Sequence, residues 1–246
     1  MYRFGKMLQR DFMNLLMNPT WLMFCLGFPF LLVTIIGFMT NGLYGASFTS
    51  YDYYGVTLMF YSALYTGTFS ANSFMEERIK QANLRSLYTP ISQWEIPLAK
   101  TLATFLYTLI FYTFIGGVLM ILFQVNYGTE IFKLWLLFAG INFASSSLGV
   151  LMCCIFKSEG VANQILSIIT NVIAITAGLL FPAAALGETF SKISQALPLS
   201  KVIQVAFQLI YDNNSQNFLL TLTGIGALSL VLVFASQMTF KGEAYL

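Results

Sequence analysis

FMEERIKQANLRSLYTPISQWEI, residues 74–96, holds six charged side chains, Glu76, Glu77, Arg78, Lys80, Arg85 and Glu95, in a chain of 246 residues of which only 9% are charged. On both sides of it the sequence is oily. The chain is 57% hydrophobic with a mean hydropathy of +0.74, well above the balance of a soluble domain. The segment therefore reads as a polar connection inside a membrane protein.

Working outward, the uncharged runs are long enough to cross a bilayer, which takes about 20 apolar residues in a helix. They predict six spans near residues 20–43, 53–75, 98–124, 134–156, 161–186 and 218–238. Lipid offers the backbone no hydrogen-bond partners, so the spans are expected to be helices, and unbroken apolar runs exclude the short alternation of a barrel. The expected fold is all-α: a polytopic membrane protein with six transmembrane helices, forming one domain over residues 1–246. No cleaved signal peptide is expected, because a polar segment precedes the first run and no small-residue cleavage site follows it.

Lys and Arg near span ends set orientation. With the amino terminus in the cytoplasm, the inside carries Arg3, Lys6, Arg10, Arg78, Lys80, Arg85, Lys100, Lys157 and Lys241, and the outside only Lys133, Lys192 and Lys201. Both termini and the 76–96 region are then cytoplasmic.

Residues 2–17 read as an interfacial helix, with Phe4, Met7, Leu8, Phe12, Leu15 and Leu16 at helical spacing and Arg3, Lys6, Arg10 and Asn14 free to face water or lipid phosphate. Asn18-Pro19 breaks it, and Pro29 is expected to kink span one. Residues 182–214 are too polar for a span. Phe190, Ile193 and Leu197, then Val202, Ile203, Ala206, Phe207, Ile210 and Tyr211, predict two short amphipathic helices at the outer interface.

Small and polar residues mark close helix approach: Ser145, Gly149 and Cys153 on span four, and Asn163, Ser167 and Asn171 with Thr170, Ala174 and Gly178 on span five. For the span-five stripe two readings stand together, packing within or between subunits and contact with a transported substrate. Cys25, Cys153 and Cys154 lie in spans and form no Cys-x-x-Cys pair, so packing is their expected role.

Histidine is absent, which removes His-ligated metal sites and His-based proteolysis. No span has an acid near its centre, against proton-coupled carriage or an aspartyl protease. The only Gly-Lys pair, Gly5-Lys6, starts too early for a Walker A loop. No catalytic residue, metal site or nucleic-acid partner is expected, and energy must come from another chain.

Residues 76–88 read as a short amphipathic helix with a Glu76–Lys80 pair at i, i+4, stopped by Thr89-Pro90. Ser92 and Glu95 have capping-box spacing, so a second helix is expected from Ser92 into span three, kinked by Pro97. Two readings fit this elbow: a loop that only sets topology, or a lever that receives force.

The pattern Glu76-Glu77-Arg78, Leu84-Arg85-Ser86-Leu87, Thr89-Pro90-Ile91-Ser92, Trp94-Glu95 and Lys100 resembles the cytoplasmic signature of ABC-2-type permeases, the membrane subunits of one class of ATP-binding-cassette exporters. The likeness extends over the whole chain, through Asn18-Pro19, six spans and Gly178-Leu179-Leu180-Phe181-Pro182 before the external helices. The resemblance implies two permease chains, most simply a homodimer, with two ATPase subunits that bind ATP and Mg, while this chain itself needs no cofactor. It implies that Glu76, Glu77, Arg78, Lys80, Leu84, Arg85 and Leu87 couple to the ATPase. Spans two and five would border the substrate path, with Asn72, Asn163, Ser167, Thr170 and Asn171 as its candidate residues. Pro97 departs from the smooth helix of such permeases. The expected function is export of an amphipathic or lipid-like compound across the cell membrane, whose lipid is itself a partner; the alternative is a scaffold or sensor that docks a cytoplasmic protein without transport, and a membrane enzyme ranks third because no nucleophile has an evident base.

Overall fold

The computed structural model describes residues 2–42, 44–45, 48–75, 94–182 and 187–240. Among these residues all regular structure is helical: α1 (Tyr2–Met17), α2 (Pro19–Met39), α3 (Ser50–Met75), α4 (Glu95–Phe123), α5 (Ile131–Phe156), α6 (Glu159–Thr176), α7 (Glu188–Ala196), α8 (Pro198–Phe207) and α9 (Phe218–Thr239), with a π-turn at Gln208–Asp212 after α8. Five of them, α2, α4, α5, α6 and α9, are long and apolar enough to cross a membrane. The expected all-α polytopic membrane fold is the one observed.

The sixth expected span, 53–75, is α3, and it differs in kind from the other five. At 26 residues it is about 39 Å long, ample for a bilayer, yet its composition is less apolar. The reason is its position: α2, α4, α5 and α6 pack around it, and Thr57, Ser62, Thr66, Ser70, Asn72 and Ser73 are all buried. A helix sheathed by protein need not be soluble in lipid, so polar side chains that would be costly outside become cross-helix partners.

Asn18 ends one element and begins the next. Its side chain accepts from Thr20 N at 3.1 Å and Pro19 occupies the first helical position, where a missing N–H costs nothing. The inward face of α1 carries Phe4, Met7, Leu8, Phe12 and Leu15, with Asp11 in the middle of it, whereas Leu16, expected on the same face, is exposed. The Asp11 carboxylate meets Lys100 Nζ of α4 at 2.6 Å, both side chains nearly inaccessible. The pair anchors α1 to the start of α4.

One boundary differs from the expectation. Span five ends at Thr176, ten residues short of 186, because Gly178 adopts a φ of +78° and Leu179 N returns to Ala174 O at 2.9 Å, a Schellman closure that only glycine enters without strain. Pro97 lies in the first turn of the described part of α4, and residue 93, whose carbonyl an N–H at this position would reach, lies outside the described residues. The Ser92 half of the capping box lies outside the described residues. α2 runs unbroken through the buried Pro29.

The two short amphipathic helices after α6 are present as α7 and α8, turned by 95° at Leu197-Pro198. Val202, Ile203 and Ala206 of α8 are buried as expected. In α7 the buried position is Ser194, 3.1 Å from Ser200 Oγ, whereas Ile193 is exposed. Phe74 and Phe240 meet with ring centroids 6.0 Å apart, so the last described residue returns to the end of the bundle where α3 finishes and α4 begins.

Candidate functional site

α3 touches α5 and α6 along two different seams. On the α5 side the contact is made of small residues. A Cβ built on Gly149 would run into Gly67 O, and one built on Gly67 would lie 3.0 Å from Ser145 O. Backbones this close bring side-chain hydroxyls and thiols into reach of carbonyls: Ser146 donates to Thr101 O of α4 at 2.9 Å and lies 3.2 Å from Ser70 Oγ, and Cys153 Sγ donates to Ala71 O at 3.4 Å. Thr108 of α4 donates to Asn142 Oδ1 of α5 at 2.9 Å. The Ser145–Gly149–Cys153 stripe is therefore a packing seam within one chain, and Cys25, Cys153 and Cys154 are buried free thiols.

On the α6 side the contact is polar. Asn163 Nδ2 donates to Asn72 Oδ1. Two turns further along, Tyr61 Oη donates to Asn171 Oδ1 at 2.8 Å, while Asn171 Nδ2 donates to Ser167 O at 2.8 Å. Asn163, Ser167 and Asn171 are half-buried and Thr170 is buried with Leu166 and Ala174. Four of the five candidate path residues, Asn72, Asn163, Ser167 and Asn171, thus join one hydrogen-bonded seam, with Thr170 beside it. Asn163 Oδ1 and Thr68 Oγ1 are buried and have no protein partner.

Tyr61 was not among the residues the sequence singled out. The available signal was a tyrosine in mid-span, whose hydroxyl needs a partner when buried. Phe28 of α2 lies beside this face, 6.1 Å from the Tyr61 ring and 5.2 Å from the Tyr65 ring.

At the far end of α3 an aromatic cluster closes over the seam. The Tyr53 ring stacks on Phe207 of α8 at 5.6 Å and on Tyr44 at 5.8 Å, and its hydroxyl donates to Gly178 O at 2.6 Å. Burial raises the Tyr44 phenol well above its ordinary value, and burial followed by the Asp52 carboxylate raises Tyr211 to about 12. Both are neutral donors at any physiological pH. Asp52, which the sequence left unassigned, organises the same end: Oδ2 accepts from Thr49 N at 2.9 Å and Thr49 Oγ1 at 2.8 Å, and Oδ1 accepts from Asn126 N at 2.8 Å. Thr49-x-x-Asp52 is a capping box with an added clasp on the α4–α5 connection.

The proposed coupling residues Glu76, Glu77, Arg78, Lys80, Leu84, Arg85 and Leu87 lie outside the described residues. The flanking residues Met75 and Glu95 lie at the end of the bundle that carries the Asp11–Lys100 pair.

The described residues form a bundle of apolar helices around α3, with a polar seam between α3 and α6. Residues 42–236 match the family described as ABC-2 family transporter protein, and the chain belongs to that family. A search of curated proteins gave no match. Membership makes the chain a multi-pass membrane subunit of an ABC transporter, one that works with an ATPase subunit and is not itself catalytic.

Proposed function

We propose that this chain is the permease of an ATP-driven exporter, acting as a homodimer with two ATPase subunits in the cell membrane, with both termini in the cytoplasm. ATP and Mg belong to the partner ATPase, and this chain holds no cofactor of its own. The exported compound is amphipathic or lipid-like. The observation that carries the reading is the α3–α6 seam: the half-buried Asn171 pairs with Tyr61, beside Tyr65 and Phe28, the half-buried Asn163 pairs with the buried Asn72, and two buried oxygens, Asn163 Oδ1 and Thr68 Oγ1, have no protein partner. Amides and hydroxyls set against aromatic rings suit a ligand that has both an apolar body and hydrogen-bonding groups.

Residues 76–96 serve as the cytoplasmic coupling region, with 2–17 as the interfacial helix beside it and 182–214 as the external helical segment of the single domain 1–246. The nine-to-three bias of Lys and Arg supports this orientation, and the bundle-end position of Met75 and Glu95 is compatible with a lever between α3 and α4. Co-purification with its ATPase followed by hydrolysis assays in liposomes tests the assignment. Addition of an amphipathic substrate should raise ATP turnover several-fold and move the compound to the face opposite the ATPase; turnover indifferent to every amphiphile tried would leave a scaffold instead.

A further inference from the structure

On another side of α3 from the polar seam, a cavity of about 240 Å³ opens between α4 and α5. At 100° per residue, Val56, Met59 and Phe60, which line it, sit on a different face from Tyr61, Thr68 and Asn72. Two adjacent glycines make its α4 wall. A side chain at Gly117 would meet open space, and one at Gly116 would meet only Tyr127 Oη at 3.8 Å and Met59 Cε at 4.0 Å. On its rim Trp135 Nε1 donates to Thr113 Oγ1 at 2.9 Å. The mouth is exposed at Gly117, Met120 and Ile131 and is surrounded by outward apolar side chains such as Ile121, Leu122 and Phe132, the surface that meets lipid.

Into this apolar space the connection between α4 and α5 sends one polar atom. The Tyr127 hydroxyl is buried and has no protein partner, and burial raises the phenol well above its ordinary value, so it remains a donor. A buried hydroxyl without a partner loses the hydrogen bond it would make in water. Water is a poor occupant, because it needs two to four polar partners and the Thr113 hydroxyl is already engaged. The volume falls below the ~300 Å³ lower bound of drug-sized pockets, yet suits a length of hydrocarbon chain.

We infer that this cavity holds one acyl chain of a membrane glycerolipid, with the lipid's ester carbonyl accepting a hydrogen bond from Tyr127. Tyr127 lies on the connection beyond the end of α4, and its hydroxyl reaches back to 3.8 Å from where a Cβ on Gly116 would sit. The site stands apart from the α3–α6 seam and does not depend on what that seam transports.

The test uses the full-length chain, purified with its ATPase subunit, exposed to dioleoyl phosphatidylglycerol and read by native mass spectrometry. Wild-type protein should retain one lipid per chain. Gly117→Leu, which fills the cavity from the open side, should weaken retention at least about tenfold, and Tyr127→Phe should weaken it about fivefold to tenfold, the scale of one hydrogen bond. The ether-linked analogue lacks the carbonyl and should bind equally to wild type and Tyr127→Phe. A second reading follows Trp135 fluorescence in a Trp21→Phe, Trp94→Phe background: brominated acyl chains should quench it less once Gly117→Leu is added. Undiminished retention in Gly117→Leu overturns the inference, as does altered subunit association with lipid retention unchanged, which would make the cavity a protein contact. Equal loss of ester and ether lipids in Tyr127→Phe would remove the hydrogen bond from it.

Discussion

Tyr61 of α3 donates its hydroxyl to Asn171 of α6 across 2.8 Å, near the middle of both helices. Neither residue has another strong partner in the opposing helix, so this bond and the Asn72–Asn163 contact at the other end of the seam set how α6 lies against α3. Interhelical hydrogen bonds in membranes average about 0.6 kcal/mol, which makes them adjustable contacts rather than rivets.

Asn171→Leu removes the acceptor and leaves the Tyr61 hydroxyl unmatched. We expect a loss of about 1 kcal/mol in stability and a changed substrate preference in stimulated ATPase assays. If substrate profile and dimer stability both match wild type, the seam does not border the path.

Asp11 and Lys100 form the other pair whose disruption is informative. Removing one charge strands its partner in a buried place, at a cost of about 3–5 kcal/mol; Asp11→Ala or Lys100→Ala alone should lower the melting temperature sharply. The double variant Asp11→Leu, Lys100→Met should recover most of the loss, since replacing both partners with apolar groups removes the unpaired charge. A double variant as unstable as either single one would show that the ion pair is not the connection between α1 and α4 that its geometry indicates.

Gly149→Val should weaken the α3–α5 seam by overpacking, at about 1–3 kcal/mol or more, because the space its side chain needs is filled by the Gly67 backbone. Gly224→Ala in α9, where a Cβ would meet open space, is the control and should be near neutral or slightly stabilising through helix propensity. Thermal unfolding followed by helicity distinguishes them; equal shifts would mean that α3 and α5 do not approach as closely as described.

Glu77→Ala with Arg78→Ala tests the lever. Insertion and helix content should remain, while ATP hydrolysis continues without export of the compound. Export at the wild-type rate would reduce residues 76–96 to a topology signal.

The number of helices, their membrane setting and the position of the corners follow from one-dimensional patterns. Twenty-odd uncharged residues can only be a helix in lipid, Asn18-Pro19 can only end one helix and start another, and Leu197-Pro198 turns α7 into α8, so these were legible in the chain. Gly178 was legible as a residue but not as the end of span five, because apolarity continues through Leu179 and Phe181 and hides the reversal of the backbone. What only the tertiary structure decided is which residues face one another. The sequence offered Asp11 no partner, and the packing of α1 on α4 set it against Lys100. The polarity of α3 made sense only once four helices were seen to surround it, and Tyr127 acquired an unmatched hydroxyl only because Gly116 and Gly117 leave room for it. Periodicity states which side of a helix is unlike the other, but a hydrogen bond or a cavity depends on two elements distant in sequence, and their relative placement is set by the packing of the whole bundle.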